Sequence, residues 1–358
     1  MNAKNNEGLE MEKVAKFFKV LFGGLLAVII IAAISGRIYQ VRSEYVDLRQ
    51  YPAPGELVIV SGHLMHINCL GSGSPTVILE QGAGTGGQAT LWQDLHEQSS
   101  RITRVCAYDR AGVGYSEPVN IPTRSADVAS TLRLLLHQYG IEEDLVLVGW
   151  SRGGVHIREF QKQFPDLVSG MVLVDSAHEL QYQRVPDAPV QAATGTSLYQ
   201  VAQYLQPLGL LRITGLVEAQ IQGFAIAEKE IPRARALYNM SHSISTLLNE
   251  TIGAEIDFDE ASEPASLGDL PLVVITQGEP VVLPPRLPPA YTLEYFQETR
   301  RVWNELQSEL AQLSTNSKQV IASESGHGNI HSRQPEIIIN AISDVVLAVR
   351  NSSDLVTH

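Results

Sequence analysis

Short apolar runs of strand length recur along the chain, separated by segments whose apolar residues have helical spacing. The runs predict strands at 57–60, 64–70, 75–80, 104–108, 145–148, 171–174, 272–276 and 320–322. The first two flank Ser61-Gly62-His63 and predict a hairpin. Helices are predicted over Ser125–Gln138, 292–313 and 335–349. Strands that alternate with helices predict an α/β fold with a mostly parallel sheet of about eight strands, covered by helices on both faces.

This alternation is interrupted over residues 178–268. Apolar positions there have helical spacing, most clearly over 199–205, 208–217 and 221–226. A helical insertion between two strands is typical of a lid. The apolar side chains of this segment include Leu205, Leu210, Leu211 and Phe224. We therefore expect a core domain over 55–177 and 269–350, with a helical lid over 178–268.

Residues 17–35 near the N-terminus form an apolar stretch in which only Lys19 is charged. With a rise of about 1.5 Å per residue, a helix of this length crosses the hydrocarbon core of a bilayer. We expect residues 1–36 to be a cytoplasmic tail and a transmembrane anchor, followed by a polar linker over 37–54. A cleaved signal peptide is the alternative, because Ala33-Ile34-Ser35 loosely fits a small-x-small cleavage site.

The lysines before the apolar stretch slightly favour an N-terminus inside the cell, which places the large domain outside the cytoplasm. With a cleaved signal the domain would be secreted. In either case Cys69 and Cys106 would meet oxidising conditions and could form a disulfide. Two buried free thiols are the alternative.

Composition narrows the classes of function. The 358 residues carry 39 Asp and Glu against 26 Lys and Arg, a formal net charge of −13. This excess of acidic residues, without a basic cluster, argues against a nucleic-acid-binding surface. No histidine or cysteine spacing fits a metal site.

The most informative chemistry lies where the predicted strand 145–148 ends in Gly149-Trp150-Ser151-Arg152-Gly153. A strand that breaks into Gly-x-Ser-x-Gly before a helix is typical of a nucleophile elbow. The serine of such a turn has a strained backbone, so the residues two before and two after it must be small. A serine hydroxyl also needs a histidine to take its proton, an acid to orient that histidine, and donors for the oxyanion.

Three further stretches occur with this motif in a fixed order. They are the glycine loop 82–87 after strand 75–80, the Tyr-Asp-Arg-Ala-Gly-x-Gly-x-Ser stretch 108–116, and Ser325-Gly326-His327. Together they resemble the α/β-hydrolase fold superfamily over about residues 55–350. The resemblance implies that Ser151 is the nucleophile and that His327, in the loop before the last helix, is the catalytic histidine. His331 is a nearby rival.

The acid of the triad has two candidates. The superfamily's usual position follows strand 272–276, where Glu279 is the available carboxylate. Some members carry the acid one strand earlier, and Asp175 stands there. Asp175 is preferred, because a short carboxylate at the end of a strand can hold the imidazole tautomer. The resemblance also implies an oxyanion hole made by the backbone N–H groups of Ala83 and Arg152.

We therefore expect a serine hydrolase of carboxylic esters or related acyl bonds that acts on an apolar or lipid-derived small molecule without a cofactor. One alternative is an NAD(P)-dependent oxidoreductase, because Gly82, Gly84 and Gly87 match a dinucleotide fingerprint and Asp109 lies where a ribose-binding acid would. This alternative leaves Ser151 and His327 without a role. A non-catalytic ligand receptor on the same fold is a third hypothesis.

Overall fold

The computed structural model describes residues 2–142, 144–189, 195–218, 221, 225–260, 262–283 and 287–355. One eight-stranded sheet organises them. Its strands are β1 (Glu56–Val60), β2 (His63–Leu70), β3 (Thr76–Glu80), β4 (Val105–Tyr108), β5 (Leu145–Trp150), β6 (Val168–Val174), β7 (Leu272–Gln277) and β8 (Ser317–Ala322). Their spatial order is β1-β2-β4-β3-β5-β6-β7-β8. β2 is antiparallel to β1 and β4, and the other neighbours are parallel, so the predicted hairpin and parallel sheet are confirmed.

Helices cover both faces of the sheet. The helices of the described chain outside the predicted lid are Asn2–Gln50, Gln88–Leu91, Gln93–Ser99, Ser125–Gln138, Arg152–Gln163, Leu293–Ala311, Ile330–Arg333 and Pro335–Asn351. Between 178 and 268 they are Gln181–Arg184, Gly195–Leu205, Leu210–Thr214, Ile231–Tyr238 and Ser243–Asp259. Short 3₁₀ turns occupy Pro165–Leu167, Gln206–Leu208 and Glu228–Glu230.

The core lies in two layers, one on each face of the sheet. Successive side chains of a strand point to opposite faces. Val146 and Val148 of β5 therefore pack in one layer with the helix Pro335–Asn351. Leu145 and Leu147 pack in the other layer with Ser125–Gln138. Burial on both faces explains why these strands read as continuous apolar runs in the sequence.

Cys69 and Cys106 form a disulfide bond. They stand opposite each other in the antiparallel register of β2 and β4. The bond therefore joins two neighbouring strands of the sheet. The sequence left open a disulfide or two buried free thiols, and the structure contains the disulfide.

The N-terminal helix corrects the prediction of a linker over 37–54. It runs without a break over Asn2–Gln50 and packs against the lid with its last turns. Asp47 forms an ion pair with Arg212 at 2.6 Å, and the side-chain amide of Gln40 donates to the backbone oxygen of Asn239 at 2.6 Å. The polar residues that suggested a solvated linker are thus partners of the lid.

The same helix is a candidate membrane span. The range Met11–Gln50 contains an apolar window long enough to cross a bilayer, and none of that window is buried against the rest of the chain. An apolar surface of this length without protein cover is what a membrane-spanning helix presents to lipid.

The described part of the lid is helical, but its segmentation differs from the prediction. The predicted helix 208–217 is broken at Gly209 and Gly215, both of which have positive φ angles. The helices Ile231–Tyr238 and Ser243–Asp259 were missed. Half of the predicted helix 221–226, including Phe224, lies outside the described residues.

Candidate active site

The turn after β5 holds Ser151 in a backbone conformation that few L-residues adopt, with φ 55° and ψ −127°. A Cβ atom on Gly149 would lie 2.7 Å from the backbone oxygen of Gly153. A Cβ on Gly153 would lie 2.5 Å from the backbone oxygens of Glu80 and Gln81. Both glycines are therefore required for the helix Arg152–Gln163 to leave the strand at this angle.

Three side chains form a chain of hydrogen bonds at the carboxyl edge of the sheet. Ser151 follows β5, Asp175 follows β6, and His327 lies in the loop after β8. The His327 Nε2 atom is 3.0 Å from Ser151 Oγ, and its Nδ1 atom is 2.6 Å from Asp175 Oδ2. This order can pass a proton from the hydroxyl to the imidazole while the carboxylate fixes the ring.

Asp175 is fully buried and held from two other sides. Its Oδ1 atom accepts from the backbone N–H of Gln277 at 2.9 Å and from the indole N–H of Trp303 at 3.0 Å. These donors fix the plane of the carboxylate. The second oxygen is thereby left for His327.

The loop that carries His327 is fastened by side chains from other elements. Gln277 accepts from the His327 backbone N–H at 3.1 Å and from Arg300 at 2.8 Å. Trp150 donates from its indole N–H to the His327 backbone oxygen at 3.0 Å. The imidazole is therefore positioned through its backbone as well as through Asp175.

The two rival residues have other partners. Glu279 lines the same cavity as His327 but forms an ion pair with Arg333 at 2.8 Å, while Asp175 holds the imidazole. His331 packs against the Trp150 ring and is buried. Burial lowers the pKa of His331 to about 4, so this histidine is neutral near pH 7.

The glycine loop after β3 lies against the serine. A Cβ on Gly82 would lie 2.9 Å from the Ser151 Cβ atom. The next residue, Ala83, carries one of the two backbone N–H groups expected in the oxyanion hole. Gly84 donates its N–H to Glu250 Oε2 at 3.0 Å. Ala83 thus sits between a residue that touches the serine and a residue tied to the lid.

A buried ion network fixes this loop. Arg110 donates to the backbone oxygens of Gln81 at 2.8 Å and Gly82 at 2.9 Å. Its guanidinium lies between Glu80 of the core and Glu250 of the lid, and bonds Glu250 Oε1 at 2.6 Å. All three charged side chains are at most 2% exposed. A buried charge that loses its partner costs several kcal/mol, roughly 3–5, so the loop, the core and the lid are held as one unit.

Arg152 is a second tie to the lid. Its side chain is buried and donates to the backbone oxygens of Glu250 and Thr123. It also approaches Asp257 at 3.3 Å. Burial lowers the pKa of this guanidinium, with partial compensation from Glu250. The side chain therefore braces the turn, and the backbone N–H remains the expected oxyanion donor.

Asp109 has a structural role, in which its carboxylate holds neighbouring segments together by hydrogen bonds. Its carboxylate accepts from the backbone N–H groups of Gln88 at 2.8 Å and Tyr115 at 3.1 Å. It also lies 2.7 Å from His66 Nδ1, and both side chains are buried. Burial alone would lower the pKa of His66, but Asp109 and the Pro54 oxygen raise it. A fully committed carboxylate disfavours the ribose-binding role of the dinucleotide hypothesis.

Sequence reasoning missed Gln277, Trp303 and Glu250 as site residues. Gln277 ends β7 at the same sheet edge as the triad residues, a position that could have drawn attention to it. Trp303 and Glu250 lie within helices, where no local motif marks them. Within the described residues, no group of three or more His, Cys, Asp or Glu side chains could hold a metal ion.

A cavity of about 470 Å³ opens beside His327. Apolar side chains dominate its walls, among them Val281, Val282, Phe296 and Trp303. Arg300 also lines it, but two of its nitrogens are bonded to Gln277 and to the Glu279 backbone oxygen. The cavity therefore offers an apolar site next to the imidazole.

Comparison with known sequences gives a consistent result. The sequence profile of the alpha/beta hydrolase fold matches residues 75–203. An AB hydrolase superfamily protein of Gibberella zeae is 29% identical over 290 residues, which cover 77% of this chain and 87% of that protein. A vacuolar membrane protein of Saccharomyces cerevisiae is 35% identical over 107 residues, which cover 29% of this chain and 17% of that protein. The chain spans much less of three curated relatives, the Saccharomyces cerevisiae protein among them: 53%, 35% and 17% of their lengths.

Solved structures share the architecture. An esterase from Thermogutta terrifontis superposes with a TM-score of 0.55 at 18% sequence identity. The superposition covers 82% of this chain and 98% of the esterase. At this identity the likeness establishes the fold. The sheet order, the helices on both faces and the sequence profile agree with it.

Proposed function

Because the chain belongs to the α/β-hydrolase fold superfamily, we propose that it is a serine hydrolase that cleaves carboxylic esters or related acyl bonds. The observation that carries this proposal is the hydrogen-bonded chain Ser151–His327–Asp175. Other enzymes of this fold carry out other chemistry, so the assignment depends on these residues and not on the fold alone.

In the proposed mechanism Ser151 Oγ attacks the carbonyl carbon while His327 Nε2 takes the hydroxyl proton. Asp175 holds the imidazole through Nδ1 and stabilises its protonated form. His327 then gives the proton to the leaving alkoxide, which departs as the alcohol. Water, activated by the same imidazole, attacks the acyl-enzyme, releases the acid and restores Ser151.

The negative charge on the carbonyl oxygen would be held by the N–H groups of Ala83 and Arg152. Arg152 is the first residue of its helix, so its N–H lies at the positive end of the helix dipole. Such donors are effective because they are fixed before the reaction starts. The contacts of Arg110 and Glu250 with residues 81–84 support this arrangement.

The proposed substrate is apolar around the ester bond. The apolar cavity beside His327 would receive one of its groups. The chain would be held at a membrane by its N-terminal helix, with the hydrolase domain outside the cytoplasm. The apolar span, the Cys69–Cys106 disulfide and the relative named as a membrane protein support that location.

We expect the full chain to hydrolyse nitrophenyl esters, with a preferred acyl length set by the pocket. Ser151→Ala should abolish turnover, because no other hydroxyl is paired with His327 in the described site. Turnover is measured by nitrophenol release over a series of acyl lengths. A Ser151→Ala protein that keeps wild-type turnover would contradict the assignment.

Asp175→Asn should lower kcat by about 10³–10⁴-fold, because the amide favours the wrong imidazole tautomer. Asn also tolerates the positive φ of 41° at this position, so the fold should persist. Glu279→Gln is the matched control and should keep activity near the wild-type value. Kinetics of the two variants on the same ester decide the acid, and the reverse ranking would assign it to Glu279.

Glu250→Gln should lower kcat by about 10–100-fold with little change in KM, since a displaced oxyanion donor weakens the transition state more than the ground state. An amide cannot accept from both Arg110 and Gly84, because its nitrogen is a donor. Glu255→Gln, an exposed position on the same helix, is the control.

A structural role alone would not change the affinity for a transition-state analogue relative to KM. Binding of a boronic acid should therefore weaken in Glu250→Gln in parallel with kcat. Equal losses in kcat and in substrate affinity would contradict a role in positioning the oxyanion loop.

A further inference from the structure

The outer face of the lid over residues 201–216 is made of apolar side chains. Six large apolar residues are exposed there, each by more than a third of its surface: Val201, Tyr204, Leu205, Leu210, Ile213 and Leu216. The remaining exposed residues of this stretch are Thr214 and Gly215. An uncharged exposed patch of this kind on a folded protein marks a surface that contacts another apolar phase.

The charged residues in and next to this stretch are engaged in ion pairs. Arg212 pairs with Asp47 at 2.6 Å, and Glu218 pairs with Arg235 at 3.0 Å. On the helix Gly195–Leu205, Val201, Tyr204 and Leu205 follow the i, i+3, i+4 spacing of one helix face. Ala202 and Leu211 point inward and are buried. The lid therefore has two apolar faces, one toward the protein and one outward.

The N-terminal helix fixes the position of this patch. A Cβ on Gly36 would lie 2.3 Å from the Leu208 backbone oxygen, so the helix and the lid touch at this glycine. A Cβ on Gly209 would lie 3.0 Å from the Tyr39 ring. Gly36 comes directly after the apolar stretch 17–35. The patch is thus held at the end of the candidate span.

The residues around this contact have the composition of a membrane–water interface. Arg37, Tyr39 and Arg42 are exposed on the helix just beyond the span. Arginine and tyrosine side chains at this level extend their polar ends toward lipid headgroups. A bilayer that held residues 17–35 in its hydrocarbon core would place its headgroups at this level, beside the lid patch.

We propose that residues 201–216 of the lid dock on the surface of the lipid bilayer that the N-terminal helix spans. This inference rests on the membrane location given in the proposed function, and it does not require the proposed hydrolysis. Apolar side chains of a lid pressed into the headgroup region would bury area in the same way as an interfacial helix. The partner is the bilayer itself, since the helix that carries the span touches the lid beside the patch.

The test uses the full chain in phosphatidylcholine vesicles whose lipids are brominated near the headgroup end of the acyl chain. The Ile213→Trp variant should show more tryptophan fluorescence than the unsubstituted chain, and the brominated lipid should quench this added fluorescence strongly. Val28→Trp, within the span, reports insertion and should also be quenched. Ile321→Trp is the matched control, because Ile321 is 53% exposed on β8 of the core, and its added fluorescence should not be quenched.

Quenching of Val28→Trp with none of Ile213→Trp would overturn the docking surface and leave the anchor standing. Quenching of neither would overturn both. A blue-shifted Ile213→Trp signal that bromine does not quench would mean that protein covers the patch, as in contact between two copies, and would also overturn the proposal. None of these outcomes depends on catalysis, so the hydrolase proposal is tested separately.

Discussion

The close approach of β5 to the helix that follows it is the constraint on which the site depends. Gly149 and Gly153 leave room for this approach, and Ser151 takes a left-handed φ as a result. Such a conformation costs about 1–3 kcal/mol and persists where surrounding structure determines it. Here the sheet provides that support, because β5 is buried on both faces and paired on both sides.

The lid is joined to the core by buried charge as well as by apolar packing. Arg110 donates to a core carboxylate, to a lid carboxylate and to the backbone oxygens of Gln81 and Gly82 at the start of the glycine loop. Moving three charged side chains from water into the interior is costly, so such a network does not by itself argue for high stability. What it provides is geometry: the residues expected to hold the oxyanion are fixed by the same contacts that fix the lid.

Much of the sheet could be predicted because buried parallel strands are continuous apolar runs, and Ser151 and His327 stand in motifs with a fixed chain order. Other features depend on contacts between residues far apart in sequence. Polar residues of the helix beyond residue 36, such as Gln40 and Asp47, contact lid residues about 170–200 positions away. Contacts over such a sequence separation cannot be predicted from a local pattern of residues. The contact between Trp303 and Asp175 also joins residues far apart in sequence, so no local pattern predicts it.

The choice of acid shows the limit of motif reasoning. Asp175 and Glu279 follow neighbouring strands at the same sheet edge, so position alone leaves both open. In the structure the two carboxylates have different partners: Gln277 and Trp303 donate to Asp175, while Arg333 pairs with Glu279. Asp175 as the acid is our proposal, and the two matched variants test it.

The central claim is that Ser151 is activated by its neighbours, and covalent labelling tests it most directly. The folded full chain is treated with a fluorophosphonate, digested and mapped by mass spectrometry. The account predicts one label per chain, on the peptide that contains Ser151. A folded chain that takes no label, or takes it on another serine such as Ser176 or Ser325, would contradict the account.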